Sequence, residues 1–304
     1  MGLFSKPEVT ILKESNNAID YLGKLEAMQK EASPGTKLYD ALEKEIAIIK
    51  AGILGEEAIL YELKNSGMDL VVLHDLYIET EDGRGAQIDY IVITPDANVF
   101  IECKNLFGNI TIDNKGNFIR EFSFGRHKVK EGIYSPVSQN ERHLRLFKED
   151  RASTKGAIVG AIYKKNFENY NKSFVVLANS KTVLNDRFAP KEVKSQVIKV
   201  DRLVSELASI KTDRKLSKKE MINLGEQFLA MNKDDRKDYS ERFEKLKAEA
   251  EDNKQQEESH NNTEMICPFC GKKLVLRTAK KGVNEGRQFY GCSGFPMCRY
   301  IKNI

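Results

Sequence analysis

The spacing of apolar residues predicts helices at the start of the chain and strands after them. Apolar residues recur at helical spacing from residue 10 to about residue 64, and Ser33-Pro34-Gly35 divides this stretch into two helices. Short apolar runs then predict strands at Leu70–Leu76, Ile88–Ile93, Val99–Ile101, Asn109–Asp113, Phe118–Glu121, Phe174–Ala178 and Val197–Val200. Further helices are expected at Pro136–Lys148 and Asp201–Ile210. This order favours an α/β fold in which helices flank a mixed central sheet.

Residues 87–104 predict a β-hairpin that gathers charge on one face. Two β-branched runs flank the turn signal at residues 95–98, and pairing around that turn sets Asp89 opposite Lys104. Period-2 alternation places Asp89, Glu102 and Lys104 on the same, otherwise apolar face. Charges on a buried face are costly unless they are paired or bind a metal ion.

Two interpretations of this face remain open on geometry alone. The two carboxylates suit Mg²⁺, which proteins hold through one or two carboxylates plus water and phosphate oxygens. Lys104 beside such an ion would orient or activate an attacking water. Alternatively, the face points to solvent and Asp89 and Lys104 form an ordinary cross-strand pair.

Two of the predicted helices carry polar residues that fit a site near the hairpin. Gly52 and Gly55 each cost about 1 kcal/mol relative to alanine in a helix interior, and close packing on a sheet would explain them. Glu56 would then face the sheet, although on pattern alone a solvated glutamate on an exposed face is the commoner case. Gln139 and His143 lie four residues apart on one face of a later helix, where a lone histidine is more often structural than catalytic.

Composition places the chain among globular proteins without a membrane span. Of its 304 residues 40% are hydrophobic, which is enough for a core, and 31% are charged. No apolar run reaches the roughly 18 residues of a transmembrane helix, and the first residues do not resemble a secretory signal. We therefore expect a cytoplasmic protein, with association with the nucleoid as an option.

Sequence pattern divides the chain into four parts. Residues 211–260 are highly charged and helical in pattern, and residues 253–263 lack apolar side chains, as a flexible linker does. The expected parts are an N-terminal helical segment (1–48), an α/β domain (49–210), a charged helical segment with linker (211–263) and a small C-terminal domain (264–304). The N-terminal helices are expected to pack on the domain, on a protein partner or on a second copy.

The C-terminal part has the pattern of a zinc ribbon. Cys267-x2-Cys270 and Cys292-x5-Cys298 are two cysteine pairs separated by a spacer that is typical of a four-thiolate Zn²⁺ site. Short strands are expected at Leu274–Leu276 and Gln288–Tyr290. A domain this small needs the metal for much of its folding free energy. Disulfides or free thiols are the alternative.

The same part is where a polyanion would bind. The whole chain has a net charge of +4, whereas residues 264–304 hold eight lysines and arginines against two glutamates. Aromatic residues lie among these cations, an arrangement typical of single-stranded nucleic-acid binding. The candidate DNA-binding residues are Lys272, Arg277, Lys280, Lys281, Arg287, Tyr290, Phe295, Arg299 and Tyr300.

Residues 50 to about 150 resemble the NERD (nuclease-related) domain of the PD-(D/E)XK nuclease superfamily. The resemblance rests on the motifs Gly52-x-x-Gly55-Glu56, Ile88-Asp89-Tyr90-Ile91-Val92, Phe100-Ile101-Glu102-Cys103-Lys104-Asn105 with Gly108, and Pro136-x-x-Gln139 with His143. It implies a restriction-endonuclease-like sheet and a Mg²⁺ (or Mn²⁺) site held by Asp89 and Glu102 with support from Glu56. It also implies that Lys104 activates water and that Gln139 assists. Tyr90 stands where a histidine is expected and Cys103 where a small aliphatic residue is commoner, and neither change removes a ligand.

Residues 265–304 resemble the C-terminal zinc-finger repeats of bacterial type I DNA topoisomerases. The shared motifs are Cys267-Pro-x-Cys270-Gly271, Gly282, Phe289-Tyr290-Gly291-Cys292-Ser293 and Phe295-Pro-x-Cys298. In those enzymes the module binds single-stranded DNA. No other part of the chain resembles a topoisomerase catalytic domain, so strand passage is not implied.

Together these patterns predict a metal-dependent deoxyribonuclease whose zinc ribbon binds single-stranded DNA. Two other interpretations compete with it. One is a catalytically inactive DNA-binding or repair accessory protein that uses a nuclease-like scaffold. The other is a partner-binding scaffold in which the N-terminal helices and residues 211–260 carry the main function.

Overall fold

The computed structural model describes residues 6–14, 17–233, 240–248, 265–282 and 284–303. The chain divides into two compact units, Met1–Ser240 and Glu241–Ile304. The linker expected at residues 253–263 lies outside the described residues. None of the described helices combines the length and apolar character needed to cross a membrane.

The larger unit contains two β-sheets with helices between and around their strands. Its strands are β1 (Val9–Lys13), β2 (Leu70–Glu79), β3 (Gly85–Ile93), β4 (Asn98–Lys104), β5 (Asn109–Ile112), β6 (Phe118–Phe124), β7 (His127–Ile133), β8 (Asn171–Leu177), β9 (Leu184–Asn185) and β10 (Val197–Lys199). Its helices are α1 (Asn17–Glu31), α2 (Lys37–Lys64), α3 (Pro136–Ser153), α4 (Ala157–Tyr170), α5 (Lys191–Lys194), α6 (Leu203–Ser209) and α7 (Lys218–Leu229), with a 3-10 turn at Val200–Arg202.

The main sheet has six strands in the order β1-β2-β3-β4-β8-β10. Strands β2, β3 and β4 run antiparallel to their neighbours within that group, whereas β1, β8 and β10 each pair in parallel. A second sheet has the order β7-β6-β5-β9. The main sheet therefore contains both parallel and antiparallel pairs, as the sequence predicted.

Both faces of the main sheet are buried under helices. One face carries Ile91 and Phe100, which pack with Phe147 of α3 and Phe228 of α7. On the opposite face, side chains of β3 and β4 pack with residues of α2 and α6, including Ile59. Alternate side chains of the two central strands thus pack into two separate cores, one on each face of the sheet. This confirms the predicted α/β class with helices on both sides.

The hairpin of β3 and β4 keeps its predicted faces but not its predicted register. Ile91 pairs with Phe100, whereas the turn signal predicted Ile91 opposite Glu102. The prediction was wrong by two residues because the turn is tighter: the amide of Thr94 donates to the carbonyl of Ala97 at 2.8 Å. A shift of two residues leaves every side chain on its original face.

The ends of the larger unit depart from the sequence-based boundaries. Residues 10–13 are part of strand β1, paired in parallel with β2, and not the beginning of a helix. Helix α1 packs on α2, which runs without a break through the boundary expected at residue 48. Beyond the boundary expected at residue 210, α7 buries Met221 and Phe228 in the core under the sheet. Short apolar segments such as residues 9–13 acquire their structure from the strand beside them.

The smaller unit contains a three-stranded antiparallel sheet in the order β11 (Leu274–Thr278), β12 (Gln288–Cys292) and β13 (Ile301–Asn303). The first two strands lie where the sequence predicted them. The third was not predicted, since it has only three residues and all three are exposed. Cysteines lie before β11, at the end of β12 and before β13, which is the layout of a zinc ribbon.

Candidate functional site

An open pocket of about 620 Å³ in the larger unit collects the residues that the sequence singled out. It is lined by Glu56, Tyr77, Glu79, Gly83, Gly85, Ala86, Gln87, Asp89, Glu102, Cys103, Lys104, Gln139 and His143. The pocket therefore brings together all five candidate catalytic residues, which lie on α2, β3, β4 and α3.

The middle of β3 and the end of β4 bring the three charged side chains into the pocket. Asp89 Oδ2 accepts a hydrogen bond from the amide of Cys103 at 2.7 Å, which fixes its carboxylate against β4. Lys104 Nζ donates to Glu102 Oε1 at 2.5 Å. Glu102 is buried, with its side chain 3% exposed, and Lys104 is the more accessible partner. The solvent-facing Asp89–Lys104 pair is thus excluded.

Negative charge is in excess in this pocket. Burial and the charge of Glu102 raise the pKa of Asp89 well above its usual range, and Glu56 adds to the effect. Burial likewise raises the pKa of Glu102, against the opposing influence of Lys104. One ammonium group does not offset these carboxylates. A second cation with a preference for oxygen ligands would, so the donor set fits Mg²⁺ or Mn²⁺.

Glu56 faces the sheet, contrary to the solvated alternative. Its Oε2 lies 2.8 Å from Nε2 of His74, and the hydroxyl of Tyr90 donates to its backbone carbonyl at 2.9 Å. The rings of His74 and Tyr90 stack at 4.4 Å. Gly55 permits this approach, because a Cβ there would lie 2.7 Å from Cβ of Asn105.

Sequence reasoning missed His74 and Tyr90 as supports of Glu56. One signal was available: His74 stands within a run of apolar residues on β2, where a polar side chain needs a partner. Tyr90 was noted only as a departure from a family motif. Its inward hydroxyl explains why a tyrosine suits that position.

Helix α3 contributes Gln139 and His143 to the pocket wall. Nδ1 of His143 lies 3.6 Å from Oε2 of Glu102, which is longer than a hydrogen bond. Burial, with the charges of Arg142 and Lys104, lowers the pKa of His143 to about 4. The imidazole is therefore neutral at neutral pH and does not form an ion pair with Glu102. Among the described residues it has no hydrogen-bond partner for Nδ1.

The four cysteines of the smaller unit form a metal-binding cluster. Their Sγ atoms all lie within 4.8 Å of one another. The closest pairs are Cys270 with Cys292 at 3.3 Å and Cys267 with Cys298 at 3.7 Å. These distances are far longer than the roughly 2.05 Å of a disulfide bond, and the thiols are free. Four converging thiols at this spacing fit tetrahedral Zn²⁺.

The candidate DNA-binding residues lie on the same small unit as this cluster. The cations among them are all exposed to solvent: Lys272, Arg277, Lys280, Lys281, Arg287 and Arg299. The guanidinium of Arg277 lies 5.8 Å from the ring centre of Phe295, which is 59% exposed. Tyr290 and Tyr300 are half-buried, and Tyr300 packs against Phe269 at 5.3 Å. Phe269, one of the aromatic residues that lie among the cations in the sequence, is 79% exposed.

Comparison with known proteins separates the chain into the same two regions. The nuclease-related domain family matches residues 51–178, and the topoisomerase DNA-binding C4 zinc finger family matches residues 264–304. DNA topoisomerase 1 of Methanocaldococcus jannaschii is 54% identical over 39 residues, which are 13% of this chain and 4% of that enzyme. The chain thus matches only a small part of that relative. No solved structure matches the chain.

Proposed function

We propose that this chain, which carries a nuclease-related domain and a topoisomerase-type C4 zinc finger, is a metal-dependent nuclease that hydrolyses phosphodiester bonds in DNA. The observation that carries the proposal is the convergence of Asp89, Glu102 and Lys104 in one pocket with Glu56 and Gln139. Buried carboxylates beside an ammonium group have no evident structural purpose, since burial alone makes them costly.

In the proposed reaction Asp89 and Glu102 would hold Mg²⁺ or Mn²⁺, with support from Glu56. The ion, when bound, would acidify water and offset negative charge on the phosphate. Lys104 lies beside Glu102 and would orient the attacking water and stabilise charge that develops on the phosphate oxygens. The amide of Gln139 would position the water or the phosphodiester from the opposite wall. His143 stays neutral and so adds no further positive charge.

The smaller unit would hold Zn²⁺ through Cys267, Cys270, Cys292 and Cys298 and capture single-stranded DNA on its exposed cations and rings. Base stacking on aromatic side chains is tolerant of sequence, and cations follow the phosphates. The matching family consists of DNA-binding zinc fingers, and this supports DNA as the ligand. Such a protein would work in the cytoplasm, on or near the nucleoid.

Replacing Lys104 tests the enzyme. We expect Lys104→Ala to abolish divalent-dependent cleavage and to leave DNA affinity intact, because the ammonium group acts at the reaction centre and the smaller unit captures DNA. Cleavage is measured on labelled oligonucleotides, and affinity by fluorescence anisotropy. Lys115→Ala, in the exposed turn between β5 and β6, is the matched control and keeps wild-type cleavage.

A cleavage assay of the wild-type protein decides between a nuclease and an inactive DNA-binding protein. If the protein cleaves neither DNA nor RNA with Mg²⁺ or Mn²⁺, the hydrolytic role is refuted. The chain would then be a DNA-binding accessory protein on a nuclease-like scaffold.

A further inference from the structure

The first two residues of the loop that joins Lys104 to β5 are fixed by polar contacts. Nδ2 of Asn105 donates to the carbonyl of Ala51 at 2.7 Å, which ties the loop to α2. The carbonyl of Leu106 accepts two hydrogen bonds, from Oγ1 of Thr182 at 2.9 Å and from Nδ2 of Asn179 at 3.2 Å. These two residues therefore have little conformational freedom.

Gly108 closes the loop against the second sheet. Its φ is +101°, and a Cβ at this position would lie 2.6 Å from the carbonyl oxygen of Glu121 and 2.8 Å from Cβ of Phe122. The loop backbone thus presses directly on β6.

Phe107 is held on this fixed loop with most of its ring in solvent. The side chain is 64% exposed, and its ring meets that of Phe122 edge-on at 5.9 Å. The guanidinium of Arg120 lies 4.8 Å from the ring centre of Phe122 and also pairs with Glu131. An aromatic ring left mostly exposed gains little from the hydrophobic effect, so folding does not account for its placement.

We propose that Phe107 is a stacking platform for an unpaired base beside the reaction centre, an inference that rests on the proposed nuclease function. Phe107 is the third residue after Lys104, so their Cα atoms lie at most about 11 Å apart. That distance spans about three stacked nucleotides or fewer. A phosphodiester at Lys104 would place a nearby base over the ring.

The charges around Phe107 match a nucleic-acid strand. Lys104 precedes the loop, and the exposed Lys181 lies in the turn whose Thr182 and Asn179 hold Leu106. One cation before the loop and another in the turn bonded to it suit a phosphate backbone whose base stacks on the exposed ring. Bases within a duplex are already stacked on their neighbours, so the platform selects single strands or unpaired segments. The nuclease pocket would therefore prefer single-stranded DNA on its own account, independently of the zinc ribbon.

The contact between Phe107 and a base can be followed by tryptophan fluorescence. The chain contains no tryptophan, so one introduced at position 107 would be the sole source of that signal. The full-length, zinc-loaded Phe107→Trp variant is titrated with oligothymidylate and with a matched duplex, without added Mg²⁺, so that no cleavage intervenes. We expect the single strand to quench the tryptophan emission and the duplex to leave it nearly unchanged. Equal quenching by both, or none by the single strand, would overturn the inference.

Phe188→Trp is the matched control for this experiment. Phe188 is 66% exposed and has the guanidinium of Arg187 at 5.4 Å from its ring centre, so its surroundings are comparable. It follows β9, which runs parallel to β5, and therefore lies at the end of the sheet away from Phe107. We expect no quenching there. Quenching at Phe188 equal to that at Phe107 would show general strand coating and refute a dedicated platform.

Kinetics supply an independent measurement. Phe107→Ala should raise KM for a single-stranded oligonucleotide by about 5- to 150-fold, the range of one base stacked on one ring. Phe107→Tyr should restore the wild-type KM, and Phe188→Ala should not change it. A concentration-dependent shift of the Phe107→Trp emission without DNA would instead reveal a contact between copies and refute base stacking.

The two proposals fail in different ways. Quenching at Phe107 without cleavage by the wild type would refute hydrolysis and leave the base platform standing. Cleavage of single strands without quenching at Phe107 would refute the platform and leave the nuclease standing.

Discussion

Asp89 shows most clearly the cost of placing several carboxylates together in the pocket. It is held by the amide of Cys103, and burial and the charge of Glu102 raise its pKa well above the usual range. When the pH is above the pKa of free aspartate, Asp89 is ionised in the unfolded chain. In the folded protein, ionising it costs free energy because the carboxylate is buried beside another carboxylate. Folding stability is therefore lost as the pH rises towards the pKa of the folded state.

Replacing this carboxylate should stabilise the metal-free protein. We expect Asp89→Asn to have a higher Tm than wild type at pH 8, with a difference that shrinks as the pH falls towards about 4, where free aspartate is half protonated. Mg²⁺ should raise the Tm of the wild type and not that of the variant, since a ligand stabilises only the state that binds it. Thermal unfolding followed by circular dichroism measures both.

Asp113 provides a control of opposite sign. Hydrogen bonds from Asn117 hold the pKa of Asp113 below its usual range, and the side chain is exposed. Asp113→Asn should therefore lower the Tm at pH 8. If Asp89→Asn is also less stable than wild type at that pH, the carboxylate is compensated in the folded protein and the argument for a missing cation fails.

The sequence identified the charged residues of the site but not their supports. Alternation along two short strands was enough to place Asp89, Glu102 and Lys104 on one face, since that period depends only on the backbone. His143 was found only through its spacing from Gln139 and a family motif, and His74, on β2, was missed. Their proximity depends on how helices and strands pack, and no local pattern encodes it.

Helix α2 shows how one element positions another through a missing side chain. Its two glycines, three residues apart, suggested close packing on the sheet, and the structure assigns that role to Gly55 alone. A Cβ on Gly55 would lie 2.7 Å from Asn105 and 3.0 Å from Sγ of Cys103, whereas nothing lies within 4 Å of a Cβ on Gly52. Gly52 therefore has no packing reason in this structure.

The two glycines form a matched pair for mutation. We expect Gly55→Ala to destabilise the larger unit by about 1–3 kcal/mol through overpacking, and Gly52→Ala to stabilise it by up to about 1 kcal/mol through helix propensity. Urea denaturation of the full chain measures both. Equal effects of the two substitutions would contradict the close contact between α2 and the loop after β4.

Prediction of helices and strands succeeded where a segment has a clear apolar pattern of its own. The central strands β3 and β4 have continuous apolar runs and were found, while their register depended on the tight turn at Thr94–Ala97 and was wrong by two residues. Strand β7 alternates exposed and half-buried residues and carries little apolar signal, so it was not predicted. Residues 10–13 were assigned to a helix because only pairing with β2 makes them a strand.

The whole molecule combines a unit with its own large core and a unit that depends on metal. Residues such as Phe100 and Phe147 of the larger unit are completely buried. Among the described residues from 265 to 303, the buried side chains are those of Cys267 and Cys292, and the apolar residues are half-buried or exposed. The two units should therefore respond differently to the loss of zinc.

Replacing one ligand of the zinc site tests this difference. We expect Cys270→Ser to lose bound zinc and to weaken binding of single-stranded DNA at least about tenfold, in line with the share of folding free energy that structural zinc supplies. The unfolding transition of the larger unit should stay where it is. Zinc content is measured by mass spectrometry and DNA binding by anisotropy. Cys103→Ser, outside the cluster, is the control that keeps its zinc; full zinc content in Cys270→Ser would refute the four-thiolate site.

The pairing of β1 with β2 has a consequence for the use of this domain in isolation. The family match begins at residue 51 and ends at residue 178, and so omits β1, β10 and α7. A fragment cut to that match would present bare amide and carbonyl groups along both outer strands, a template on which copies join edge to edge and aggregate. Anyone transplanting the pocket into another protein should therefore take the chain from before Val9 to beyond Lys233.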